Sequence, residues 1–242
     1  MDLKAHIKSA HGISALNARL RQIVYGGNDG IVTTFAVVAG FAGAGAEGTA
    51  QIGAVAVILF GLANLFADAA SMGLGEYLSS RAERDVYRKN RREEIRRFRT
   101  ETVSERKEVL AILAEKGLSG SDARAFADQL EHHPELMADF MMLYEFGLSA
   151  PEDGEEVWNG LTTFISFLAF GVLPLLPFFF GVAEADALAV SAGSSLGALL
   201  LLGLLRAQAT GERHLRCVVE TLLVGLVCGA VAYVVGWVVM SG

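Results

Sequence analysis

The sequence predicts an all-α membrane protein, with five transmembrane helices and a cytoplasmic helical insert between the second and the third. Three observations carry this reading. Of the 242 residues, 52% are hydrophobic, more than an ordinary water-soluble domain carries. Five stretches stay apolar for about 20 residues, the length that crosses a bilayer core of about 30 Å. Charged residues make up 19% of the chain, and most fall between Arg81 and Glu156, with a smaller group before Gln22. The expected organisation is a cytoplasmic N-terminal segment over 1–22, two spans over 23–80, an insert over 81–156 and three spans over 157–242.

The N-terminal segment has no apolar core and no cleavage site, so it does not read as a signal peptide. His6 and His11 lie in it. The first span runs from about Ile23 to Ala46, is rich in glycine and carries Asp29 near its start. The second, from about Gln51 to Ser80, exceeds the bilayer thickness, so its end should project into water. The third runs from about Trp158 to Phe180. Pro174 and Pro177 should kink or end it, because proline donates no backbone hydrogen bond. The fourth covers about Ala187 to Arg206 and the fifth about Leu215 to Met240. Small residues recur where helices can approach closely: Gly40, Gly43 and Gly45 in the first span, Gly193, Gly197 and Gly203 in the fourth, Gly225 and Gly229 in the fifth. Cys217 and Cys228 lie in apolar surroundings. Two such cysteines argue for neither a disulfide framework nor a zinc site.

Orientation follows from the basic residues. Lys4, Lys8, Arg19 and Arg21 precede the first span, Arg81 to Lys116 follow the second, and Arg206, Arg213 and Arg216 separate the fourth from the fifth. The other connections, around Glu47 and around Glu184 to Asp186, carry no lysine or arginine. The N-terminus and the insert are therefore expected in the cytoplasm, and Ser241-Gly242 on the opposite side.

The insert reads as three or four amphipathic helices. The first continues the second span through ERDVYRKNRREEIRRFR. A second should start at Thr102, where Thr102-Val103-Ser104-Glu105 fits a capping box, and end at Gly117. A third is expected in SDARAFADQLEHH, capped by Ser121 or Asp122. Pro134 opens another through PELMADFMMLYEFGL. The arginine-rich run follows a membrane span directly, so lipid headgroups or the chain's own glutamates, not nucleic acid, are its expected partners.

Two groups of residues carry chemistry. In the second span Asn64, Asp68, Met72 and Glu76 recur every four residues and so share one stripe of the helix. Carboxylates at membrane depth are costly, and a row of them marks a path for a cation. Asp29, flanked by Gly26, Gly27 and Gly30, adds a further carboxylate where backbone and ions can come close. Such carboxylates bind a divalent cation when ionised and protons when it leaves, the chemistry of an antiporter. The thioether of Met72 suits soft transition ions such as ferrous iron, and does little for magnesium or calcium. In the insert, Glu94, Glu101, Glu105, Glu108 and Glu115 would form one stripe on a continuous helix. If the chain breaks near Thr100, only Glu101, Glu105 and Glu108 keep that phase. Glu105 and Glu108 can share one ion or hold two. Met141, Met142 and Glu145 on another helix would complete an oxygen and thioether site. The bland counterpart is a solvated acidic face with ion pairs such as Glu93–Arg97 and Glu101–Arg97. His132 and His133 read as exposed helix-end residues.

Taken together, GGNDGIVTTFAVVAG, GLANLFADAASMGLGEYLS, then EEI, ERKEV, DFMMLYEFGL and FGVLPLLPF resemble, in this order, the vacuolar iron transporter family. The resemblance covers about Arg21 to Met240. It implies a homodimer with five spans per subunit, a path near the dimer axis, and proton-coupled export of ferrous iron, or related ions such as manganese, zinc or cobalt, from the cytoplasm. Matched motif to motif, metal collection falls on Glu94, Glu105, Glu108, Met141 and Glu145, with Glu101 and Met142 as neighbours. Asp29 and Met72 match pathway residues, whereas Asp68 and Glu76 rest on the stripe. Three positions depart. Asn64 stands where some relatives carry an acidic residue, Phe167 replaces a pathway tyrosine, and Arg97 lies one turn after Glu94, where a further glutamate would strengthen the site.

Two other readings compete. A membrane-bound ferroxidase would need a Glu-x-x-His pattern, which Glu131-His132-His133 does not supply. A metal sensor whose insert binds a partner would leave the membrane carboxylates dispensable. Compactness of the chain points to a bacterial-type inner membrane.

Overall fold

The computed structural model describes residues 19–43 and 50–241, and among these it is helical with no strand. The expectations on His6, His11 and the N-terminal segment before Arg19, on Gly45 and on the end of the first span beyond Gly43 lie outside these residues. In chain order the helices are α1 (Leu20–Gly43), α2 (Ala50–Thr100), α3 (Thr102–Glu115), α4 (Gly120–Glu131), α5 (Pro134–Tyr144), α6 (Glu155–Gly171), α7 (Leu176–Phe179), α8 (Glu184–Thr210) and α9 (His214–Ser241). The chain forms two compact units, Met1–Tyr77 with Val157–Gly242, and Leu78–Glu156.

In the first unit, α1 packs against both α8 and α9. One of its faces enters a core with α2 and α6 built on Val38, Leu65, Ala69, Phe167 and Leu175; another meets α8 through Ile31, Ala198, Leu199 and Leu202. Glycines set the distance. A Cβ on Gly30 would lie 2.4 Å from the carbonyl oxygen of Phe167, and one on Gly26 would lie 2.7 Å from that of Thr163. Backbone cannot yield there, so α1 and α6 touch main chain to main chain.

Among the described residues, four helices are long and apolar enough to cross a membrane: α2 from Ala54, the segment Glu155–Phe179, α8 from Asp186, and α9 over His214–Ala232. The fifth expected span, α1, is not among them. Its 24 residues include Gln22, Asn28 and Asp29, which dilute its hydropathy. The physical reason lies in its position, for a helix enclosed by protein on several faces need not be apolar all round. By contrast α9 shows Leu223, Leu226, Val227, Val231 and Val235 on its exposed side, as a lipid-facing helix must.

The prolines act as the sequence predicts. Helix α6 stops at Gly171, a 3-10 turn follows at Leu173–Leu175, and α7 ends at Phe179. Carbonyl groups freed by this break would be costly in an apolar surrounding. Ser191 donates to the carbonyl of Pro174 at 2.8 Å and Ser194 to that of Leu173 at 3.1 Å, both from α8. Cys217 is buried, Cys228 is half-buried, and both are free thiols.

In the second unit α2 continues without interruption, as expected: 51 residues span about 75 Å at 1.5 Å per residue. Its last turns pack on a small core of Phe98, Val109, Leu113, Ala127, Leu130 and Met137. Arg91 ties α5 to α2 by pairing with Glu135 at 2.8 Å and Asp139 at 2.6 Å. Two expected caps are not made. Glu101, not Thr102, occupies the N-cap of α3, with no side-chain cap, and the Thr102 hydroxyl instead donates to the carbonyl of Phe98 at 2.8 Å. Glu105 is buried in the insert rather than turned back to close a capping box. Helix α4 starts at Gly120 with Ser119 at its N-cap, two or three residues earlier than Ser121 or Asp122 predicts, and Gly120 takes a positive φ of 69° there. Gly117 ends the preceding helix at φ 89°, and Pro134 opens α5, as the sequence indicates.

Candidate metal pathway and insert cluster

The four-residue row lies on α2 within the first unit, and each of its members is partly buried. Asn64 Nδ2 donates to Asp68 Oδ2 at 2.7 Å, so the amide holds one carboxylate oxygen of its neighbour one turn on. Asn64 also borders a groove of about 670 Å³ between α1 and α2, where Val37, Phe41 and Phe60 supply apolar walls. Met72 packs against the core that contains Phe167, which is fully buried. Asp29 lies in mid-helix on α1, close enough to Asp68 for the two charges to act on each other. The structure thus brings Asp29 and the α2 row together from two helices. The sequence could not pair them.

At the other end of the row stands a residue the sequence reading missed. Gln22 on α1 is 6% exposed, and its Nε2 donates to Glu76 Oε1 at 3.0 Å. Gln22 Oε1 is buried with no hydrogen-bond partner among the described residues. A signal was present: Gln22 precedes Asp29 by seven residues, two helical turns, and so shares its face.

In the insert, Glu94 and Glu105 are 3% and 2% exposed, an unusual burial for carboxylates. The break at Glu101 removes the single stripe expected of a continuous helix, but packing restores the contact. Glu94 from α2 and Glu105 from α3 stand close enough for their charges to act on each other, and Glu108 and Glu145 belong to the same electrostatic set. Burial pushes the Glu105 carboxyl up to about 7, helped by the negative charges of Glu94 and Glu108 and opposed by Arg97. Burial also raises Glu94, against the pull of Arg97. At the end of α5, partial desolvation and then Glu94 and Glu108 raise Glu145. Glu101 is exposed. Met141 and Met142 are 1% and 0% exposed, and Met141 belongs to the insert's apolar core. Glu93 pairs with Arg96, and with Arg97 at 3.8 Å. His132 and His133 are exposed at a helix end.

No group of three His, Cys, Asp or Glu side chains among the described residues stands close enough to hold a metal ion as placed. The insert carboxylates nonetheless form a set in which burial and mutual repulsion favour the protonated forms of Glu94, Glu105 and Glu145. Adding a divalent cation to it would release protons and remove the mutual repulsion.

The chain is similar to known proteins over most of its length. A model of the VIT family matches residues 20–237. Vacuolar iron transporter 1 of Oryza sativa subsp. japonica is 33% identical over 214 residues, covering 88% of this chain and 82% of the relative. Vacuolar iron transporter 1 of Arabidopsis thaliana is 32% identical over 220 residues, covering 91% and 86%. The vacuolar iron transporter of Plasmodium falciparum (isolate 3D7) is 33% identical over 231 residues, covering 92% and 82%. These relatives are transporters and not enzymes, which removes the ferroxidase reading. The chain is an integral membrane protein that belongs to the VIT family.

Proposed function

We propose that this protein is a divalent transition-metal transporter that carries ferrous iron out of the cytoplasm in exchange for protons. The observation that carries the reading is the row Asn64, Asp68, Met72 and Glu76 on a membrane-length helix, joined by Asp29 from α1. Carboxylates accept either a cation or protons, and the thioether in their midst favours a soft cation. The relatives' names supply the identity of the ion. Manganese is the main rival cargo, with zinc and cobalt behind it.

In the proposed route, Glu94, Glu105, Glu108 and Glu145, with Met141, Met142 and Glu101 beside them, collect the ion from the cytoplasm. The ion then passes along Glu76, Met72, Asp68 and Asp29. Protons arriving from the far side re-protonate the carboxylates and release it. The reading takes α1 as the fifth span, since its polar residues are turned to protein, and puts the insert in the cytoplasm on the charge asymmetry of the loops. It takes the working form as a homodimer. The relatives are named for the vacuole, so the expectation of a cell inner membrane finds no support from them.

Proteoliposomes test the proposal. Uptake of ferrous iron, manganese and zinc is followed with and without a pH gradient. Iron uptake that collapses with the gradient supports exchange; uptake of all three that ignores the gradient excludes it.

A further inference from the structure

We propose that Gln22 is a cation-contacting residue that, with Glu76, forms an all-oxygen subsite selecting ions before they reach the thioether of Met72. This rests on the transport reading above. Three features support it. Gln22 is almost wholly buried, yet its Oε1 has no hydrogen-bond partner among the described residues. A buried carbonyl oxygen left unpaired is costly, so it calls for a partner. The amide is held in place, for Nε2 donates to Glu76 Oε1 at 3.0 Å. The reverse amide orientation would set carbonyl oxygen against carboxylate oxygen, so the chemistry fixes which atom is which. The hydrogen bond fixes the amide against the Glu76 carboxylate, so that the Gln22 Oε1, without a partner among the described residues, and the carboxylate can both offer oxygens to a cation.

The position gives this pair its consequence. Glu76 lies one turn from Met72 on α2, so an ion moving along the row meets two hard oxygens and then a sulfur. Oxygen donors favour harder ions such as manganese, whereas a thioether favours softer ones such as ferrous iron. Removing the amide oxygen should therefore cost manganese more than iron. Gln22 contributes no charge, so it can weigh donor hardness without trapping the ion.

The test uses the full chain in proteoliposomes, comparing wild type with Gln22→Leu, Gln22→Met and Gln22→Glu in initial-rate uptake of ferrous iron and of manganese. Loss of one ligand atom corresponds to about a tenfold rise in KM for manganese. The rise for iron should be smaller, with maximal rates within about twofold of wild type. Gln22→Glu, which keeps oxygen donors, should restore the manganese KM. Gln22→Met matches glutamine in length and stands in should Gln22→Leu fail to fold: it should raise the manganese KM likewise, while its thioether keeps the iron KM near wild type. An unchanged KM for both ions, or a lower maximal rate with KM unchanged, overturns the proposal and leaves Gln22 a packing residue. A wild type that carries neither ion overturns the transport reading and this subsite with it. An active wild type with indifferent Gln22 variants overturns the subsite alone.

Discussion

Glu94 on α2 and Glu105 on α3, on either side of the helix break at Glu101, are both buried, and the charge of Glu94 hinders ionisation of Glu105. Glu105 is raised from the ordinary 4.5 to about 7, so the folded protein binds its proton more tightly than the unfolded chain does. Between those two values the folded state carries the extra proton, and stability contributed by this group falls as pH rises. The expected result is that wild type loses melting temperature relative to Glu105→Gln from about pH 4.5 to about 7, after which the gap is constant. A gap that does not change with pH would show that Glu105 holds no extra proton.

The same set should answer to metal. Glu105→Gln and Glu108→Gln in the full chain should each weaken binding of a divalent transition ion by roughly tenfold or more, since each removes a charged donor. Wild-type affinity should climb with pH through about 7, as Glu105 gives up its proton. Calorimetry on both variants decides this, and unchanged dissociation constants would remove the two residues from the site.

Asp29→Asn keeps shape and polarity but loses the charge, and Met72→Leu keeps volume but loses the sulfur. Each should leave the melting temperature within a few degrees of wild type, because volume-conserving changes usually cost under about 1.5 kcal/mol. Iron uptake should fall to roughly a tenth or less in Asp29→Asn, and clearly in Met72→Leu. Full uptake by both would sink the pathway assignment.

Gly30→Ala places a methyl 2.4 Å from the Phe167 carbonyl oxygen, where only backbone movement can relieve the clash. It should destabilise the protein by about 1–3 kcal/mol, and it should slow transport by pushing α1, with Asp29, away from α6. Gly193→Ala is the control, because a Cβ there meets nothing within 4 Å. It should be neutral or slightly stabilising by helix propensity. Thermal unfolding of the two variants side by side checks this, and equal melting temperatures would refute the close-packing account.

Much of this was legible in the residues. Spacing of four exposed the Asn64 to Glu76 row, because helix geometry alone puts such residues on one stripe. Pro174 and Pro177 announced the end of α6, since the missing N–H is a local property. The capping box at Thr102 misled, because its Glu105 has more to gain from the buried pairing with Glu94 than from a terminal amide. The departure at Arg97 proved informative: its positive charge partly offsets the insert carboxylates, where another glutamate would have added repulsion.

By itself the sequence determined which segments are apolar, where helices start and stop, and which polar residues interrupt a membrane-length helix. These are properties of neighbours in the chain. Only the tertiary structure decided that α1, with its polar residues, packs against α8 and α9, that Gln22 meets Glu76, and that Glu94 and Glu105 come together. Such pairings join residues on different helices. They depend on how closely backbones approach at Gly26 and Gly30 and on where the chain breaks at Glu101, distances that no periodicity encodes.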